Sequence, residues 1–375
     1  MWEYQDTEDL IYVFLIPLIC IPGLVAATAS AYVFFKIRSS SLEVLLFGLS
    51  LFDVAVLGCS LTMYPSLNQC KKAEEGEDPN PFVCHFFWKT TIATYPFAQI
   101  AQAGSVWTCV AVTVDRFVAV SFPIKKRIWC TPMTSTITLC ALTGFCILYK
   151  FPAFFELELN AMGVLSQTSL RSSPTYQLYY NVFAYSIVML VLPWTIIIIL
   201  NFIVILRVRE AYGRRCHLAK HSLRRSVRRR DDAERRCTIM AVVMISLFFF
   251  LNPPSLINHL IEAIMPPDRQ PFRERIPISN LLVCINSASN ILIYCVFNRK
   301  FRRTIGGLLG IAIPENERRG VLERAGSFVI TGFAVRMMAS QWKQRSNNGS
   351  LKSNQTRFGD VSTPLEGETL LGIPT

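Results

Sequence analysis

Ionisable side chains lodged in apolar runs are the residues of this 375-residue chain best placed to do chemistry. A charged group in hydrocarbon is costly, so each one present carries a functional expectation. Two positions stand out: Asp53 within LSLFD, and the pair Asp115-Arg116 that ends a long apolar run. A later run holds Asn286, Ser287, Ser289, Asn290 and Tyr294, spaced so that several share one helix face. Ser105 stands eleven residues before Arg116. Asp53, Ser105, Asn286 and Asn290 together make a polar cluster able to hold a hydrated sodium ion or to rearrange its hydrogen bonds. The alternative is a static polar core. The four histidines (His85, His217, His221 and His259) are scattered. No metal-ligand spacing, glycine-rich phosphate loop or nucleophile motif appears, so neither an enzyme nor a further cofactor is expected.

Seven elements must position these groups. The chain is 51% hydrophobic and only 17% charged, with mean hydropathy +0.35. Soluble domains carry about 25% charge, so a disordered protein, a disulfide-rich miniprotein and a coiled-coil rod are excluded. A helix needs about 20 apolar residues to cross a bilayer. Seven blocks qualify: 10–35, 42–63, 91–120, 133–155, 178–206, 237–262 and 277–297. The fold class expected is an all-α membrane protein, a seven-transmembrane helix bundle. An acidic segment, 1–9, precedes the bundle and lacks a basic region or cleavage site, so the first block reads as a retained anchor.

With the amino terminus outside, 30 of the 38 Lys and Arg fall on inner segments. The positive-inside rule then gives a multi-pass plasma-membrane protein with its carboxyl terminus in the cytosol. The net charge of +12 is therefore a membrane signature. The run RRSVRRR at 224–230 faces anionic lipid at about 1 kcal/mol per basic residue, and nucleic acid is not an expected partner. Two sequons, at Asn348 and Asn354, fall on the cytosolic side and should stay unglycosylated. After the seventh block, Phe297 and Phe301 alternate with basic residues in FNRKFRRTIGGLL. That pattern suits a short interfacial eighth helix, closing a membrane domain at 10–309. Prolines at 96, 152, 193, 253 and 254 should kink several spans. The tail, 310–375, changes composition and carries scattered Ser and Thr.

LSLFD in the second block, VTVDRFVAVSFPIKKR at the end of the third and NILIYCVFNRKFRR at the end of the seventh resemble a rhodopsin-like (class A) G-protein-coupled receptor over about residues 10–305. The stretches AQAGSVWTCVAVTVDRFVAV, YKFPAFFELEL and ISNLLVCINSASNILIYC are similar to the FMRFamide-type neuropeptide receptors of invertebrates, nematodes especially. Ala98 stands where amine receptors carry aspartate and Cys284 where opsins carry lysine, so amines and retinal are not expected ligands. Ala27 replaces the usual asparagine of the first helix, Phe117 the usual tyrosine, and Phe-Leu-Asn-Pro-Pro the usual Cys-Trp-x-Pro of the sixth. The second external loop, near 155–176, has no cysteine, so the family's disulfide to the top of the third helix cannot form in the usual way. Cys70 and Cys84 bracket a polar external loop, and a local bridge between them is expected; free thiols or another pairing are the alternatives.

The resemblance implies an amidated neuropeptide ligand ending in Arg-Phe-amide, which offers a cation and an aromatic ring. A matching pocket needs a carboxylate and aromatic walls. Candidates are Tyr95, Gln99 and Gln102 on the third helix, Glu156 at the end of the fourth, Tyr176, Tyr179 and Tyr180 on the fifth, and Asn258, His259 and Glu262 on the sixth. Glu156 and Glu262 are the preferred cation partners, although such groups at helix ends also snorkel to water. For signal transfer the resemblance implies that Asp115 holds Arg116 at rest. Outward movement of the sixth helix then opens a cavity for a heterotrimeric G protein, lined by Phe117, Asn201 and Tyr294, with Pro123 and Ile124 as an apolar contact. The tail hydroxyls would serve receptor kinases and arrestin. The rival reading within receptors is a chemosensory receptor for a small molecule. A small secondary transporter is the remote one, since no internal repeat is visible.

Overall fold

The computed structural model describes residues 8–74, 81–160, 164–218, 225–264 and 275–308. These residues hold seven helices long and apolar enough to cross a membrane, which makes the chain a multi-pass membrane protein. The spans are Leu10–Ile37, Ser41–Ser66, Cys84–Ser121, Pro132–Phe155, Pro174–Arg207, Thr238–Ser255 and Arg275–Phe297. A short helix, Arg299–Leu308, follows the seventh. All described residues belong to a unit bounded at Met1–Pro314. The segments 1–7 and 309–375, with the sequons and tail hydroxyls, lie outside the described residues, as do the side chains of the basic run 224–230.

Several helices outrun the hydropathy blocks. The second continues through Pro65 to Glu74, the third begins at Pro81, and the sixth begins at Arg225. Hydropathy marks only the part of a helix that lipid requires to be apolar, and hydrogen bonding continues the helix past that slab. The sixth helix stops at Leu251 and restarts at Pro253. Pro253 and Pro254 lack N–H groups, so the carbonyls one turn earlier lose their partners. Asn252 stands at the break, its backbone N–H donating to Phe248 O at 3.2 Å and its side-chain amide to the same oxygen at 3.3 Å. Pro22, Pro65 and Pro96 sit inside continuous α-helices, whereas at two other places the helix widens ahead of a proline. π-type turns at Leu10–Leu15 precede Pro17, and those at Gln177–Ala184 and Ser186–Val191 precede Pro193.

The main core lies between the spans and includes Phe34, Leu46, Leu49, Val112, Met189, Met240, Met244 and Tyr294. Large apolar side chains on the outside, Leu18, Val25, Leu148 and Leu292 among them, are exposed. Such a surface suits lipid and would be a liability in water. At Gly104 a Cβ would lie 2.3 Å from Phe52 Cε1. The second and third helices pack that closely only because the position has no side chain.

One element has no counterpart in the helical expectation. Strands β1 (Leu157–Leu159) and β2 (Leu165–Gln167) pair antiparallel, with Glu158 opposite Ser166. Cys70 and Cys84 form the expected disulfide, with Cα atoms 5.5 Å apart. Both cysteines are helical, so the bridge joins two helix ends and does not staple a loop. The disulfide, Phe87 and Trp88 form a small core on which Leu159, Val164 and Leu165 of the hairpin pack. The second loop thus meets the top of the third helix through apolar contact.

At the far end of the bundle, Asn298 interrupts the helix after Phe297, and its Oδ1 accepts from Phe301 N at 3.1 Å. That cap starts the last helix. Arg302 turns back to donate to Cys295 O at 2.7 Å, satisfying an open carbonyl of the seventh span. Lys300 reaches Glu43 Oε1 at 2.9 Å and clasps the last helix to the start of the second.

Candidate functional site

The hairpin end of the bundle gathers a charged and aromatic cluster around Glu156, which is 3% exposed. Arg171 Nη1 donates to Glu156 Oε2 at 2.7 Å, and Tyr95 Oη donates to the same oxygen at 2.9 Å. Tyr176 Oη donates to Oε1 at 2.7 Å. Arg171 Nη1 also donates to Tyr95 Oη at 2.8 Å, closing a three-membered ring. Each partner is positioned by a different element. Tyr95 comes from the third span, Glu156 from the exit of the fourth, Arg171 from the short helix Ser169–Ser172 after β2, and Tyr176 from the start of the fifth. Thr168 caps Ser169–Ser172 by accepting from Arg171 N, which fixes the direction from which Arg171 enters.

Below this ring lies a narrow cleft lined by Tyr95, Gln99, Lys150, Ala153, Glu156, Tyr180 and Asn181. Tyr176 and Tyr180 stack with centroids 5.0 Å apart, and Tyr180 Oη donates to Tyr149 O at 2.6 Å. The structure brings Tyr95, Gln99, Glu156, Tyr176 and Tyr180 together. Gln102 lies one turn further along the third helix and is partly buried. Tyr179 does not join them: it is 65% exposed and packs on Phe183. One residue along a helix rotates the side chain by about 100°, which separates it from Tyr180. Asn258 bridges two helices instead, donating to Arg275 O at 3.1 Å and Ser279 Oγ at 2.9 Å. His259 and Glu262 ride on Pro253–Ile264, but their side chains lie outside the described residues.

Mid-bundle, Asp53 is 1% exposed. Asn290 Nδ2 donates to Asp53 Oδ2 at 2.8 Å, and Oδ1 is buried without a hydrogen-bond partner. Ser105 and Asn286 are buried too. Ser287, on the same helix as Asn290, also faces Asp53, and a buried carboxylate oxygen without a partner is a group that a hard monovalent cation would satisfy.

At the end opposite the hairpin, Arg116 Nε donates to Asp115 Oδ2 at 3.0 Å, and its Nη2 makes a second contact to the same oxygen. Both residues are buried. Ser41 Oγ donates to Asp115 Oδ1 and lies 2.5 Å from Ser135 Oγ, so Ser41 of the second helix links the carboxylate of the third to the fourth. Tyr294 is fully buried, edge-on to Phe34 at 4.8 Å and 5.6 Å from Phe301. Its hydroxyl points at Met244 Sδ of the sixth helix, 3.9 Å away. Asn201 turns its amide onto Ile197 O of its own helix. Phe117 packs edge-on to Phe122. Pro123 opens the short helix Pro123–Trp129, where Ile124 is 84% exposed. Burial and the neighbouring Asp115 push the Cys130 thiol up to about 11, so it stays protonated and does no thiolate chemistry at neutral pH.

Sequence reasoning missed Lys150, Arg171, Ser41 and Ser135. Lys150 was open to the rule that singled out Asp53, because it is an ionisable residue at the end of an apolar run. Arg171 gives no such signal, since it lies in a polar loop whose fold no periodicity foretells.

A family profile described as "Serpentine type 7TM GPCR chemoreceptor Srw" matches residues 15–312. Among curated relatives, an FMRFamide receptor of Drosophila melanogaster is 28% identical over 282 residues, 70% of this chain and 47% of the fly protein. The FMRFamide peptide receptor frpr-18 of Caenorhabditis elegans is 27% identical over 341 residues, 86% of this chain and 74% of the relative. The probable G-protein coupled receptor frpr-1 of the same nematode is 26% identical over 331 residues, covering 81% and 80% respectively. The chain thus spans about half the length of the fly receptor and more of the two nematode proteins. Since the profile runs from the first span through the last short helix, the chain belongs to the Srw family of serpentine seven-transmembrane G-protein-coupled receptors.

Proposed function

We propose that the chain is a rhodopsin-like receptor for an amidated neuropeptide of the FMRFamide type, coupling extracellular peptide to a heterotrimeric G protein. The observation that carries this reading is Glu156. Its buried carboxylate already holds a guanidinium and two phenols, the set of groups that an Arg-Phe-amide terminus would meet or replace. The peptide arginine exchanges with Arg171 on Glu156, and its phenylalanine ring stacks against Tyr176 and Tyr180. Glu262 serves as a second cation partner. The relatives named as FMRFamide receptors support the ligand class.

In this reading the hairpin end faces outward and the Arg116 end faces the cytosol, as the basic residues dictate. Asp115 restrains Arg116 at rest, with Ser41 and Ser135 holding the carboxylate in place. Activation moves the sixth helix outward at its Asn252 break. Contact between Tyr294 and Met244 is lost, and Arg116, Asn201, Phe117 and Tyr294 face the opened cavity. Pro123 and Ile124 present an apolar knob to the G protein. A sodium ion on Asp53, Ser105, Asn286 and Asn290 would favour the resting arrangement by neutralising the buried carboxylate. The tail, 310–375, takes kinases and arrestin.

The test is calcium release in cells carrying the receptor and a promiscuous G protein, exposed to a panel of Arg-Phe-amide peptides. A sub-micromolar response is expected. Arg116→Ala should abolish it, and Glu156→Gln should weaken it by about ten- to a hundredfold, the size of a lost charge-assisted bond. Silence from a receptor present at the surface would overturn the peptide reading. The family's description as chemoreceptors favours a second reading, a small-molecule chemosensory receptor, and silence to peptides would direct attention there.

A further inference from the structure

Lys150 ends the fourth helix and lines the cleft beneath Glu156, yet it is 4% exposed. Its ammonium makes no hydrogen bond or ion pair among the described residues. Two aromatic rings lie close, Tyr185 at 5.0 Å and Tyr149 at 5.2 Å from Nζ to centroid, and the Glu156 and Arg171 charges act on it through space. Ring faces recover only a fraction of what burying an ammonium costs, and three N–H donors remain to be satisfied. The one carboxylate of the cluster, Glu156, already accepts from Arg171, Tyr95 and Tyr176. The cleft and its rim therefore hold two cations and one anion. Gln99 and Asn181 line the same space; Asn181 Nδ2 already donates to Gln177 Oε1 at 3.0 Å, which leaves its second N–H and the Gln99 amide able to donate into the cleft.

We infer that Lys150 is the seat of a carboxylate on the activating ligand, with Gln99 and Asn181 flanking it. This deepens the receptor reading above and rests on the same cleft being the ligand site. An Arg-Phe-amide terminus is itself neutral beyond its arginine, so in a peptide the carboxylate comes from an Asp or Glu upstream of Arg-Phe. In a small environmental ligand it would be a free acid. Both sources offer the same chemistry to Lys150.

Two probe sets separate them. The first is a series of short Arg-Phe-amide peptides in which each upstream position carries Asp or Glu, or the isosteric Asn or Gln. The second is a panel of aliphatic and aromatic carboxylic acids with their primary amides. Both are applied to the intact receptor and to Lys150→Met and Lys150→Arg, with surface expression measured for each.

An acidic peptide is expected to exceed its amide isostere by about tenfold or more, the scale of a charge-assisted hydrogen bond. Lys150→Met should erase that difference, and Lys150→Arg should keep most of it. The Arg variant guards against a fold defect, since it preserves charge and length. Peptides equally potent with Asp or Asn, and unaffected by Lys150→Met, would overturn the Lys150 assignment and leave the peptide reading standing. Response to carboxylic acids alone, lost in Lys150→Met, would overturn the peptide reading and uphold Lys150. Response to neither set at a surface-expressed receptor would sink both.

Discussion

Glu156 is satisfied before any ligand arrives, so under the proposed function a cationic peptide would have to exchange with Arg171 on the carboxylate. Glu156 is buried and Arg171 is partly buried; removing one partner of a fully buried pair costs about 3–5 kcal/mol, which is an upper bound here. Arg171→Gln should therefore lower the unfolding temperature of the solubilised receptor clearly. The double variant Glu156→Gln/Arg171→Gln should recover part of that loss, because both charges of the pair are gone while Lys150 keeps its own charge in the cleft. Equal destabilisation in the single and double variants would show that Arg171 matters through its packing. At this scale the sequence was informative wherever charge met hydrocarbon. Asp53, Asp115 and Arg116 were visible because an ionisable group in an apolar run has few innocent explanations. Arg171 was invisible because its importance comes from a cap on Thr168 and a hairpin, neither of which leaves a periodic trace.

The helices were legible as lipid-crossing blocks and illegible beyond the lipid. Cys70 illustrates this. The sequence around it is polar and reads as loop, while the structure keeps it on the same helix that carries Asp53. The disulfide was expected with the right partners, but the geometry that makes it useful, an apolar seat for Leu159 and Leu165, depends on the hairpin. Close approach of helices was also unreadable, because a glycine in a span looks the same whether it faces a ring or open space. Gly104 and Gly144 differ in this way: a Cβ at Gly104 meets Phe52 at 2.3 Å, and one at Gly144 meets nothing within 4 Å. Gly104→Val should destabilise the receptor by about 1–3 kcal/mol, the usual result of overpacking. Gly144→Ala should be neutral or gain up to about 1 kcal/mol from helix propensity. Thermal unfolding of the two purified variants side by side checks both directions.

Taken whole, the molecule places its charged ring and its Asp115-Arg116 pair at opposite ends of one bundle, with Asp53 between them. The last short helix belongs to this arrangement as much as the spans do. Phe301 is fully buried and sits 5.1 Å from Phe34 and 5.6 Å from Tyr294, while Arg299, Lys300 and Arg303 stay on the exposed face. In a bilayer the helix would offer its basic side to anionic headgroups, while one ring ties it to Tyr294, the residue that touches the sixth span. A bilayer that thins or thickens would then move those headgroups along the normal, and Phe301 would carry the displacement inward as a lever carries a load. Basal signalling of the receptor reconstituted in short-chain and long-chain lipid discs should differ by a factor of about two or more, since small shifts in a two-state balance are read exponentially. Phe301→Ala should flatten that difference. The bilayer would then act as an unbound effector, setting the receptor's tone before a ligand reaches it.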